Sequence, residues 1–144
     1  MMVQINYAAV FIAAIAGMAV GFVWYSPMLF GNAWRRIIGK DNLDKTELEE
    51  MQKDVKPYFV IMFVGTLVSA YVLATFIGWL GMTTAAGGLR VAFLAWLGFA
   101  IPMTLGDALF SGRDKSLIRQ MLWIRIGHHL VGLLGMGAII GAWT

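Results

Sequence analysis

The sequence predicts an all-α membrane protein: a transmembrane four-helix bundle with a short interfacial helix and a cytoplasmic amphipathic helix between spans one and two. Three observations predict it. Of 144 residues, 60% are hydrophobic and only 13% are charged, about half the charged share of an ordinary soluble domain. The apolar residues gather into four runs, each long enough to cross a hydrocarbon core of roughly 30 Å with about 20 helical residues. The basic residues cluster between those runs instead of spreading along the chain. Residues 1–144 are read as a single integral membrane domain, since the length is too short for two.

The first run, residues 5–25, carries no charged side chain. It lacks a positive amino-terminal region and exceeds the core of a signal peptide, so it is read as a retained span. The second run covers residues 58–80. The third covers residues 91–110, with Asp107 near its end, and the fourth covers residues 120–143. Lipid offers no hydrogen bonds to backbone groups, so the spans must be helical.

Charge placement sets the expected orientation. Arg35, Arg36, Lys40, Lys45, Lys53 and Lys56 lie in the first connection, and Arg113, Lys115 and Arg119 in the third. The second connection has only Arg90, at its edge. The positive-inside rule places the first and third connections in the cytoplasm and both termini outside the cell membrane. Topology therefore accounts for the net charge of +3, and nucleic acid is not an expected partner. The expected surroundings are membrane lipid. There is no cysteine, hence no disulfide or thiolate metal site.

In the first connection, Ser26 can cap a helix that has Pro27 at its first position. Phe30, Trp34 and Ile37 then recur at helical spacing beside Arg35 and Arg36, the pattern of a helix lying in the interface. Trp24, Tyr25 and Trp34 suit the aromatic belt. Asp44 and Glu47 form a capping-box pattern ahead of an apolar stripe of Leu48, Met51 and Val55. Pro57 marks the expected entry to the second span, and residues 81–89, with Gly87 and Gly88, read as a tight outer turn.

Helices in lipid associate through close contact. Ala9, Ala13, Gly17 and Gly21 give the first span an uninterrupted small face. Ala70, Ala74 and Gly78 do so in the second, and Gly137 and Gly141 in the fourth. Such faces serve either packing within one chain or a homo-oligomer seam.

Asp107, Arg125, His128 and His129 form the candidate intramembrane polar cluster, because an ionisable residue inside a span costs about 2.5–3.5 kcal/mol. Counting along antiparallel helices, Asp107 and Arg125 differ in depth by roughly 3 Å. They can therefore form an interhelical ion pair. His128 and His129 point about 100° apart, which does not suit one metal. No metal or other cofactor is expected. A histidine beside an ion pair can instead sense or relay protons. Pro102, between Gly98 and Gly106, is expected to kink the third span. No nucleophile–base arrangement and no phosphate loop appears in the sequence, so no enzyme activity is assigned.

The segment from Gly21 through Trp24, Tyr25, Ser26, Pro27, Phe30 and Gly31 to Trp34 resembles the signature of domain-of-unknown-function family 1761. These are small four-span membrane proteins of bacteria and archaea. The ending, Gly127, His128 and His129 through Met136 and Gly137, is similar to that family's last span. Ser111-Gly112-Arg113 departs from the family's habit of placing an acidic residue ahead of the arginine. The resemblance implies a fold and no established activity. Two functions follow as expectations. The first is a small transport or channel-like protein with its ionisable cluster near the cytoplasmic side. The alternative is a structural or partner-binding membrane protein.

Overall fold

The computed structural model describes residues 4–143. Among these residues the regular structure is entirely helical. The helices are α1 (Tyr7–Trp24), α2 (Gly31–Ile37), α3 (Lys45–Trp79), α4 (Ala85–Ala95), α5 (Ile101–Leu109) and α6 (Lys115–Ala142), with a π-helical turn at Trp96–Ala100 joining α4 to α5. Four stretches, Tyr7–Trp24, Lys45–Trp79, Ala85–Leu109 and Lys115–Ala142, are long and apolar enough to cross a membrane. We call the end of the bundle that holds Asn6, Gly81 and Trp143 the outer end, and the other the inner end.

Helix α6 is the hub. It packs most extensively against α4 and α1, while α3 leans chiefly on α1. The α1 face explains the second contact. Ala9 and Ala13 are fully buried. A Cβ on Gly17 would stand 3.0 Å from Thr66 Cγ2 and 3.1 Å from Met136 Sδ. The small-residue face of α1 is thus used for packing inside the chain. At the outer end, Asn6 caps α1 through bonds from Ala8 N and Ala9 N, and its Nδ2 donates to Trp143 O at 2.9 Å.

The contact of α4 with α6 is made backbone to backbone. A Cβ on Gly137 would lie 2.5 Å from Gly88 O and 2.6 Å from Ala92 Cβ. Here the sequence expectation is corrected. Gly87 and Gly88 are not in the outer turn but in the first turns of α4, which starts at Ala85. Thr84 caps it, its Oγ1 accepting from Gly87 N at 3.0 Å. The turn itself is shorter and relies on Gly81, with φ +64°, a conformation that glycine adopts without steric cost.

Two more expectations change. The amphipathic segment is not a separate helix: α3 runs unbroken from Lys45 through Pro57 to Trp79, a length of about 52 Å at 1.5 Å per residue. The capping box at Asp44 and Glu47 forms as expected, with bonds of 2.8 and 2.9 Å. Pro57 is exposed, so its ring points away from the bundle. It removes one backbone bond, and the helix continues past it because in lipid the other backbone groups still need intrahelical partners. In the first connection, Ser26 does not cap α2. Its Oγ donates back to Val23 O at 2.7 Å, and α2 begins only at Gly31. The Ser26 carbonyl accepts from Leu29 N and Gly31 N, which makes a tight turn out of Ser-Pro. A Cβ on Gly31 would lie 2.7 Å from that carbonyl carbon.

At Pro102 the helix widens into a π turn over Trp96–Ala100 just before the proline, which sits in the first turn of α5. Such a turn accommodates a residue that cannot donate, as local π adjustments do in membrane helices.

The buried side chains form two clusters. Val10, Ala14, Leu73, Ile77, Met136 and Ile140 belong to the outer one. The inner one joins Ile37 of α2 to Ala108, Met121 and Ile124, with Trp24, Tyr25 and Trp34 packed on it. The buried residues of α3 all lie between Ala70 and Ile77, in its outer half. Its inner half keeps contact with α1 through Phe22 and Phe59, ring centroids 5.1 Å apart. Tyr58, Val60, Ile61 and Met62 are all more than half exposed.

Candidate functional site

The gap between the two clusters is where the polar residues of α6 lie. Helix α6 is held there by two tryptophans. Trp24 of α1 donates through Nε1 to Ile124 O at 2.9 Å, and Trp96 of the π turn donates to Ile126 O at 3.0 Å. An indole N–H in an apolar setting needs such an acceptor. Gly127 lets the Trp24 ring approach: a Cβ there would stand 2.8 Å from its Cζ2.

Arg125 and Asp107 meet, with Nη2 3.0 Å from Oδ2. The pair is not enclosed by the bundle. The Asp107 side chain is 67% exposed and that of Arg125 26%, so the carboxylate stands on the outer flank of α5. One antiparallel crossing brings them together, with both depths set by distance from the inner helix ends.

His128 sits in an aromatic box. Its ring centroid lies 5.1 Å from Tyr25, 6.4 Å from Trp24 and 5.3 Å from His129. Tyr25 in turn meets Trp34 edge-on at 5.3 Å. Trp24, Tyr25 and Trp34, suited by sequence to the aromatic belt, are half-buried against α6. Nδ1 of His128 is buried with no hydrogen-bond partner. Such groups are rare in native structures and call for a specific explanation.

A groove of about 290 Å³ opens beside this box. Gly21 and Tyr25 of α1, Met62 and Thr66 of α3, and His128 of α6 line it. Phe22 and Phe59 form its lip. It exists because α3 follows α1 toward the inner end and leaves α6. Gly21 keeps it open: a Cβ there would stand 3.3 Å from His128 Nε2. The Thr66 hydroxyl is not free, because it donates to Met62 O at 2.8 Å. Pro102 is exposed on α5 and lines none of the groove.

Of the residues singled out from sequence, the structure brings Arg125 to Asp107, and His128 to Tyr25 and Trp24. His129 lies beside His128, ring centroids 5.3 Å apart, and within the electrostatic reach of Arg125. Sequence reasoning missed Trp96, Thr66, Phe59 and the pairing of Tyr25 with His128. The tryptophan had a legible signal, an indole N–H inside an apolar span. The groove had none, because it depends on where two helices part.

Four apolar helices around a small polar centre define a multi-pass membrane protein of the compact bundle type. The chain belongs to the family described as protein of unknown function DUF1761, whose pattern matches residues 8–141. No curated protein and no solved structure matches it.

Proposed function

We propose that this is a small transport protein of the cell membrane, with both termini outside and the groove beside His128 as its solute site. The observation that carries the reading is the groove itself. Its otherwise apolar wall includes Tyr25, Thr66 and His128, with Nε2 of His128 turned toward Gly21. A pocket with a few convergent polar groups is the usual form of a small-molecule site. The basic connections at the inner end support the orientation. The close α4–α6 contact at the outer end argues against an open channel.

The same close contact supports a second reading, a structural bundle that binds a membrane partner. The α1 small-residue face is occupied within the chain, so a homo-oligomer would use the exposed flanks of α3 and α5. Proteoliposomes separate the two readings. Uptake of lipophilic solutes should exceed that of empty vesicles and fall at least roughly tenfold in Gly21→Leu, which fills the groove. Equal uptake with and without protein, across a solute panel, would favour the structural reading.

A further inference from the structure

The groove's chemistry narrows what it holds. We infer that it takes a neutral, single-chain amphiphile whose head carries a hydroxyl, with the head at Tyr25 and His128 and the chain leaving past Phe22 and Phe59. The inference rests on the groove being a solute site and names the ligand class.

Three observations converge. Among the described residues, no hydrogen bond engages the Tyr25 hydroxyl or Nε2 of His128, the nitrogen that faces Gly21 in the groove, and the two rings are 5.1 Å apart. A neutral imidazole offers one donor and one acceptor, and a phenol offers both. A ligand hydroxyl can accept from one and donate to the other. Second, no full charge lines the groove. Arg125, the nearest cation along α6, is already paired with Asp107 at 3.0 Å. With Arg125 committed to Asp107, a charged head would enter without a free counterion, which apolar surroundings disfavour. Third, the lip leads onward. Met18, Phe22 and Phe59 line both this groove and a more open one of about 510 Å³, which continues along Ile15, Val60 and Phe63. The inner groove, about 290 Å³, has room for only part of a long-chain amphiphile. That is a head and the start of a chain, with the second groove taking the remainder.

The test uses the whole protein in phosphatidylcholine nanodiscs and hexadecanol carrying a mid-chain diazirine. After illumination, mass spectrometry maps the label. The label should concentrate on Met18, Phe22, Phe59 and Met62. Unlabelled hexadecanol should suppress it, while hexadecyl methyl ether and palmitate compete at least roughly fivefold less well, the effect of one lost hydrogen bond. His128→Phe, which keeps an aromatic ring there and removes the nitrogens, should lower labelling by a similar factor. Label spread evenly over the exposed helices overturns the site. Equal competition by the ether overturns the hydroxyl head, and stronger competition by palmitate overturns neutrality. The competition arms use the native protein, so they decide even if His128→Phe fails to fold. Groove labelling without solute flux would sink the transport reading and leave this one standing. Flux with ether-indifferent labelling would do the reverse.

Discussion

Gly127 and Gly135 lie two turns apart on α6, yet their surroundings differ. A Cβ at Gly127 would press on the Trp24 ring, and one at Gly135 would meet nothing within 4 Å. Gly127→Ala should therefore displace Trp24 and strain its bond to Ile124 O. The expected cost is about 1–3 kcal/mol, from overpacking and a weakened hydrogen bond. Gly135→Ala should leave stability within about 0.5 kcal/mol. Unfolding of both variants in mixed micelles checks the contrast, and equal losses would contradict the packing described. The Arg125–Asp107 pair answers to a double-mutant cycle of Arg125→Gln and Asp107→Asn. Because Asp107 is mostly exposed, the coupling should be small, about 0.2–1 kcal/mol. Strict additivity would show that the two do not interact. The existence of this pair was legible in the sequence, since two ionisable residues at similar depth on adjacent antiparallel spans have few other partners. Its place on the exposed flank of the bundle was not, because exposure depends on which way α5 is turned.

At the scale of elements, the α4–α6 contact carries the outer half of the bundle. Gly88 and Gly137 let the two backbones touch, and in lipid such proximity is the main source of helix association. Gly137→Leu should separate α4 from α6 and lower stability by more than about 2 kcal/mol, the upper range of overpacking. Protease sensitivity of the Leu80–Thr84 turn reports it, and unchanged resistance would mean the contact is dispensable. Helix α3 teaches a different point. Its apolar pattern changes at Pro57, from a stripe to a continuous run, and a proline at such a change reads as a boundary. The structure keeps one helix: an outward-facing proline loses one backbone bond and crowds the Lys53 carbonyl, a local cost that the remaining intrahelical bonds offset. The Gly87–Gly88 pair misleads in the opposite way: paired glycines signal a turn locally, whereas here they clear space for another helix.

For the whole molecule, the proposed topology makes a direct prediction. Cysteines placed at Gln4 and Lys53 should label from opposite sides of the membrane with an impermeant maleimide, Lys53→Cys only after the cytoplasmic side is opened. Labelling of both from one side would overturn the orientation. The four spans, their helical state and the polar residues that need partners were determined by the sequence alone. These follow from local quantities: run length, charge scarcity, and the absence of water for backbone groups. The tertiary structure alone decided that α6 is the hub and that α1 uses its small face within the chain. It also decided that α3 parts from α6 to open a groove at His128. Those features depend on the relative rotation and tilt of helices, which packing between distant residues such as Gly88 and Gly137, or Trp24 and Gly127, determines.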